Sequence, residues 1–270
     1  MGLAAGYKAW LITVGNEVLI GRIVNTNMAW LGRKLTLLGY KVVRGLIVPD
    51  DLEEISWAFR EALKSGVKVV VSTGGLGPTF DDKTAEGLAL ALDSKTVLNR
   101  EALKMIEKKY KDKGLELTKH RIKMAIIPKD AKPIKNPVGT APGIYVKIGD
   151  THIFALPGVP SEMKAMFEES VEPFLKKIGP KIVFVEKFLK VKGLPESEVA
   201  PVIDEAMKLG NIYVKSHPKG AELGLPIIDL HITASGEDLK RAEDEVNKAL
   251  DYLREKLAAK GGEIIEHKKH

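Results

Sequence analysis

Along the first two thirds of the chain, short runs of apolar and β-branched residues alternate with segments of helical periodicity. Strands are predicted over 9–14, 41–48 and 67–72, and helices over 27–38 and 52–63, each helix ending at a glycine. This alternation is typical of βαβ units, which build a mostly parallel sheet with helices on both faces. The pattern therefore predicts a three-layer α/β fold.

Further along, the periodicity predicts helices over 85–92 and 101–110, an extended stretch over 131–156 with a turn at Gly149-Asp150, and a helix from Pro160 to 177. The Gly-Pro pair at 179–180 predicts a domain boundary. We expect a first domain over 1–178, a smaller α+β domain over 181–258 and a charged tail over 259–270. The smaller domain has predicted strands and helices over 182–191, 197–208, 212–215, 227–233 and 238–257.

The composition limits the classes of function that this chain can have. With 0 cysteines among 270 residues, disulfides, thiolate metal sites and a cysteine nucleophile are excluded. No apolar run has the length of a membrane span, and residues 1–7 lack the features of a signal peptide, so we expect a cytoplasmic protein without a membrane partner. The net charge of +6 is spread over helices that mix lysine and glutamate. A nucleic-acid partner is therefore not expected.

A glycine-rich segment, TGGLGPTFDDKT over 73–84, follows the third predicted strand. Gly74, Gly75 and Gly77 allow backbone N–H groups to approach an anion, which favours a phosphate-bearing ligand. Asp81 and Asp82 would repel a phosphate unless a divalent cation lay between them. The segment matches neither a Walker A loop nor GxGxxG. The alternative is a tight turn in which Asp81 or Asp82 caps the next helix.

Polar residues also follow the other predicted strands, and ligands of open parallel sheets bind at the carboxyl ends of strands. Glu17 follows the first strand, Asn25 and Asn27 begin the first helix, and Asp50 follows the second strand. We expect Asp50 and Asp82 to face one cleft, as a pair that binds a metal or activates water. The alternative is structural, because Asn27 and Asp50 or Asp51 are good helix caps and Glu17 can stabilise a turn.

Two later segments, NPVGTAPG over 136–143 and PGVPSEM over 157–163, are rich in glycine and proline. Their structural interpretation is a rigid turn and a helix that starts at a proline. Together with Gly15-Asn16-Glu17, Asn25-Thr26-Asn27 and the glycine-rich segment, they resemble the CinA (competence/damage-inducible) family. More broadly, residues 8–178 resemble the MoCF, or molybdopterin-binding, fold of MogA, MoaB and MoeA. Residues 181–258 resemble the KH-like subdomain of CinA proteins.

The resemblance implies a metal-dependent ADP-ribose pyrophosphatase with a divalent cation, Mg²⁺ or a transition ion, as cofactor. It implies Asp50 and Asp82 as catalytic residues and metal ligands, with Asp81 as a further ligand. A small phosphorylated nucleotide is then the partner, and relatives suggest a homo-oligomer, either a dimer or a trimer. The implied substrate and phosphate contacts are Glu17, Asn25, Asn27, Gly74, Gly75, Gly77, Thr79, Gly139, Thr140, Pro157 and Gly158.

Two alternatives stay open, namely a molybdopterin-binding or adenylyl-transferring enzyme and a nucleotide-binding module without turnover. Leu76 stands where the pterin enzymes usually carry threonine, which favours the CinA form. The chain ends before a CinA-type deamidase domain could begin, so deamidase activity is not expected. The segment 220–224 departs from the Gly-x-x-Gly loop of KH domains, which argues against RNA binding.

Overall fold

The computed structural model describes residues 6–112, 114–222 and 224–265, and the side chains of 221 and 222 are not considered. These residues form two compact units. The first comprises the described chain up to Thr36 and Tyr40–Pro180, and the second comprises Leu37–Gly39 and the described chain from Lys181.

The first unit is built around a six-stranded sheet with the order β2-β1-β3-β8-β7-β6, beside a two-stranded ribbon of β4 and β5. β2, β1, β3 and β8 are parallel neighbours, and β7 and β6 continue the sheet in antiparallel fashion. The strands are β1 (Lys8–Val14), β2 (Lys41–Val48), β3 (Val69–Thr73), β4 (Thr96–Leu98), β5 (Ile126–Pro128), β6 (Lys132–Ile134), β7 (Gly143–Ile148) and β8 (Thr151–Leu156).

Helices connect these strands and cover the sheet. They are α1 (Asn16–Leu19), α2 (Thr26–Leu37), α3 (Leu52–Lys64), α4 (Thr84–Ala91), α5 (Arg100–Lys111), α6 (Lys119–Lys123), α7 (Pro160–Met166) and α8 (Glu172–Ile178). A π-helical segment, Phe167–Val171, joins α7 to α8 where one continuous helix was predicted. Pro173 explains the interruption, because it lacks the N–H that an α-helix would require there.

Both faces of the central sheet are covered. On one face, Trp10 and Ile12 of β1 pack with Phe59 of α3 and Leu88 of α4. On the other face, the Phe174 ring of α8 lies 5.7 Å from that of Phe154 in β8, measured between centroids. Strands buried on both sides are nearly continuous apolar runs, as β3 is. The predicted three-layer, mostly parallel α/β fold is confirmed.

The second unit is a four-stranded antiparallel sheet with the order β10-β11-β9-β12. Leu189 and Val191 of the sheet pack with Val246 and Leu253 of the last helix. Its sequence of elements, βαββαβ, is that of the split βαβ, ferredoxin-like motif. Its elements are β9 (Val183–Lys192), α9 (Glu196–Met207), β10 (Ile212–Glu222), β11 (Leu225–Gly236), α10 (Leu239–Ala259) and β12 (Glu263–Ile265).

Several predicted boundaries need correction. β10 and β11 extend well beyond the strands predicted at 212–215 and 227–233. The predicted tail over 259–270 includes the last residue of α10 and all of β12, while 266–270 lie outside the described residues. β12 was not predicted because its apolar run, two isoleucines, is too short to indicate a strand. None of the helices in the described ranges has both the length and the hydropathy that crossing a bilayer requires.

Candidate functional site

A cleft of about 540 Å³ lies at the carboxyl edge of the parallel strands. The loops after β1, β2, β3 and β8 meet there because these strands run in the same direction. The cleft brings together most of the residues proposed from the sequence. These are Glu17, Asn25, Asn27, Asp50, Gly74, Gly75, Gly77, Thr79, Asp81, Asp82, Thr140, Pro157 and Gly158. Gly139 is not among the residues that line it, although the next residue, Thr140, is.

The glycine-rich segment forms one wall of the cleft. Gly74 and Gly75 have φ values of +100° and +64°, which favour glycine, and a Cβ at Gly74 would collide with the Val14 carbonyl oxygen. The Gly74 N–H donates to the Leu156 carbonyl at 3.0 Å. Within the described residues, the N–H groups of Gly75, Leu76 and Gly77 take part in none of the hydrogen bonds. Unpaired donors in a glycine loop suit an anion.

The two aspartates of this segment do not cap α4, so that structural prediction is wrong. The N-cap is Lys83, whose side chain makes no capping bond. Asp82 Oδ2 accepts from the N–H of Thr79 at 2.8 Å. The Thr79 hydroxyl has one proton and contacts two acceptors, Asp82 Oδ2 at 2.5 Å and Asp81 Oδ1. Donation to Asp81 lowers the pKa of Asp81. Both carboxylates are therefore held by Thr79 at the cleft.

Asp50 brings a further carboxylate to the same cleft. Its Oδ2 accepts from the Asn16 N–H at 2.8 Å. Burial raises the pKa of Asp50, and the negative charges of Glu17, Asp81 and Asp82 raise it further, against the opposing effect of the Asn16 bond. Asp51, rather than Asp50, caps α3 by accepting from the N–H groups of the first helical turn. The cleft therefore concentrates negative charge near a loop with unpaired N–H donors.

Asn25 and Asn27 have different roles. Asn25 Oδ1 accepts from the Met28 N–H at 3.0 Å and so caps α2, whereas the structural alternative predicted Asn27 as a cap. Asn25 Nδ2 donates to Thr13 Oγ1 at 2.9 Å. Asn27 Nδ2 donates to the Gly158 carbonyl at 2.7 Å, which joins α2 to the loop after β8.

Two contributors were missed by the sequence analysis. Lys123 of α6 donates from Nζ to the carbonyl oxygens of Thr79 at 2.6 Å and Asp82 at 2.7 Å. Asn136 organises the 136–143 loop, since its Oδ1 accepts from the Gly139 N–H at 2.7 Å and its Nδ2 donates to Glu162 Oε2 at 2.7 Å. Asn136 and Glu162 lie in motifs that were recognised, but no sequence signal links Lys123 to the glycine loop.

A match to a family model identifies the class of protein. Residues 10–177 match a family described as probable molybdopterin binding domain. A protein from Pyrobaculum arsenaticum is 51% identical over 255 residues, which are 94% of this chain and 96% of that protein. A protein from Aeropyrum pernix is 47% identical over 260 residues, which are 96% and 97% of the two chains. The chain therefore belongs to the molybdopterin-binding domain family.

A solved structure indicates which kind of protein within this family the chain resembles. The crystal structure of the protein CinA, of unknown function, from Thermoplasma acidophilum is 51% identical, with a TM-score of 0.59. The match covers 62% of this chain and 98% of the Thermoplasma chain. The protein is thus CinA-like, in agreement with the resemblance of its motifs.

Proposed function

We propose that this protein is a metal-dependent pyrophosphatase that hydrolyses ADP-ribose to AMP and ribose 5-phosphate. The observation that carries the proposal is that Gly75, Leu76 and Gly77 have unpaired N–H groups and line the same cleft as Asp50 and Asp82. The N–H groups suit a phosphate, whereas the carboxylates repel one. A divalent cation shared by carboxylates and phosphate resolves this conflict.

The donor chemistry of the cleft fits such a cation. No group of three or more His, Cys, Asp or Glu in the described ranges is arranged to hold a metal ion by itself. Mg²⁺ is usually held by one or two carboxylates together with substrate phosphates, so a larger protein cluster is not required. Asp50 and Asp82, with Asp81 beside them, would hold the ion. When bound, it would lower the pKa of a water molecule and offset phosphate charge.

Other residues, in the cleft and beside it, position these groups. Thr79 positions both aspartates of the loop, since its N–H donates to Asp82 and its hydroxyl contacts both carboxylates. Lys123 fixes the loop backbone between Thr79 and Asp82 and brings a positive charge near Asp81. In this proposal the loop N–H groups bind one phosphate, and the bonds of Thr79 and Lys123 hold the carboxylates at a constant distance from it.

Incubation with ADP-ribose and Mg²⁺, Mn²⁺ or Co²⁺, followed by quantification of AMP, tests the proposal. We expect Asp82→Asn to reduce AMP release on the order of 100-fold. Asp93→Asn is the matched control, because Asp93 is an exposed aspartate that does not line the cleft. Absence of AMP with all three metals, or equal release by Asp82→Asn and the control, would contradict the assignment.

A second candidate is molybdopterin binding or adenylyl transfer, which the match over residues 10–177 favours. Molybdopterin binding at micromolar concentration, with ATP consumption that depends on the pterin, would support it. Tight ADP-ribose binding without any product would instead indicate a nucleotide-binding module. The proposed assembly is a dimer or trimer, which light scattering after gel filtration tests.

A further inference from the structure

The part of the cleft beside the first turn of α2 differs chemically from the glycine loop. Among the polar residues that line it are Thr13, Asn25, Asn27 and Thr73, and we call these four the polar floor. Thr13 and Thr73 are partners in the parallel register of β1 and β3, so their side chains project from the same face of the sheet. Asn25 is bonded to Thr13.

Two atoms of the polar floor are buried without a partner. Asn27 is 8% exposed and Thr73 is 2% exposed. Within the described residues, Asn27 Oδ1 and Thr73 Oγ1 are buried and make no hydrogen bond. The orientation of the Asn27 amide follows from its neighbour, because the Gly158 carbonyl requires the NH₂ group and leaves Oδ1 as an acceptor. Buried polar atoms are nearly always paired, so these two indicate a missing partner.

The chemistry of the two atoms defines that partner. An amide oxygen accepts from N–H or O–H groups, and a threonine hydroxyl both donates and accepts. Phosphate is not the natural partner of this pair, since phosphate oxygens offer no donor to Asn27 Oδ1. A divalent cation is coordinated by such oxygens, but Asp50, Asp81 and Asp82 offer it charged ligands in the same cleft. The complementary group is uncharged and carries N–H or O–H donors, as nucleobases and sugars do.

We propose that the polar floor is a recognition subsite for the uncharged part of the ligand, which donates to Asn27 Oδ1 and bonds the Thr73 hydroxyl. The inference rests on the proposed function only in taking a phosphorylated nucleotide as the ligand. It orients that ligand, with a phosphate at the glycine loop and the uncharged group toward the ends of β1 and β3. Thr73 and Asn27 are then determinants of specificity.

Thr73→Val tests the proposal because it removes the hydroxyl and keeps the shape of the side chain. Ser72→Ala is the matched control, since Ser72 Oγ is also buried without a partner but Ser72 is not among the residues that line the cleft. Calorimetry would measure the binding of AMP, ribose 5-phosphate and inorganic pyrophosphate in the presence of Mg²⁺. Thr73→Ala serves as a second substitution at the same position. Thermal unfolding of all three variants shows whether they fold.

We expect Thr73→Val to weaken AMP binding by about five- to tenfold, to leave pyrophosphate binding unchanged and not to lower the unfolding temperature. Ser72→Ala should bind all three probes like the wild type. A loss for both AMP and ribose 5-phosphate assigns the donor to the sugar, and a loss for AMP alone assigns it to the base.

Three outcomes overturn the proposal. They are wild-type AMP affinity in folded Thr73 variants, an equal loss for pyrophosphate, and no measurable binding of AMP or ribose 5-phosphate to the wild-type protein. The assay requires no turnover. A protein that binds AMP through Thr73 but releases no AMP from ADP-ribose therefore refutes the proposed function alone.

Discussion

Gly75 and Gly66 allow the steric demand of the glycine loop to be measured. Their φ values are +64° and +65°, so an alanine at either position carries the same left-handed strain of about 1–2 kcal/mol. A Cβ at Gly66 meets nothing within 4 Å, whereas one at Gly75 collides with Thr84 Oγ1 and lies 3.3 Å from Val14 Cγ1. Thr84 is fully buried and bonded to the Gly74 carbonyl at 2.8 Å, so it cannot move aside.

Gly75→Ala should therefore destabilise the first unit by about 2–5 kcal/mol, the strain plus about 1–3 kcal/mol for overpacking. Gly66→Ala should show the strain alone. Urea unfolding followed by tryptophan fluorescence is the assay, because all 3 tryptophans, Trp10, Trp30 and Trp57, belong to the first unit. Equal losses of unfolding free energy in the two variants would refute the steric argument.

Three further predictions concern charged residues. Because the pKa of Asp50 is raised in the fold, its protonated form contributes stability below pH 3.8, and this contribution is lost as the pH rises through the folded pKa. Asp50→Asn should therefore be more stable than the wild type at pH 7. Urea titrations in acid should show that the difference vanishes there. Burial lowers the pKa of His152, so the free energy of unfolding should fall as the pH drops below 6.5 and through the lowered pKa. In the same titration, the free energy of unfolding of His152→Gln should depend less on pH. Lys123→Met should increase hydrogen exchange over residues 76–82 without a large change in unfolding midpoint. Lys119→Met, on the same helix, should leave the exchange of these residues unchanged. Unchanged exchange in Lys123→Met would refute the role of Lys123 in holding the loop.

The sheet and the edge that carries the cleft could be predicted because they depend on local patterns. Apolar runs such as 67–71 give strands, and parallel strands place Asp50, Gly74 and Pro157 at one edge whatever the details of packing. Side-chain partners could not be predicted in this way. Asp82 has the residue type and position of a helix cap, but Thr79 provides two competing donors.

Other residues that contribute to the site could not be predicted because they are far apart in the sequence. Asp82 and Lys123 are separated by 41 positions, and no periodic signal in the sequence would bring them together. Asn25 and Asn27 are both good caps, and only the contact of Asn27 with Gly158, 131 residues away, decides between them. The sequence thus indicated the location of the site, whereas the assignment of roles required tertiary contacts.

The antiparallel return of the chain through β7 into β8 has a consequence for how the protein is made. The loop after β8 carries Pro157-Gly158, and β8 pairs with β3, which is separated from it by the whole of the segment 74–150. Pairings between distant segments form slowly, and a nascent chain emerges from its N-terminus first. A ribosome-bound chain that has not yet released β8 has the glycine loop but lacks the loop after β8, whose Gly158 lies beside Gly74 in the finished fold. Capture of the proposed ligand would therefore require the finished sheet and would report the completion of co-translational folding.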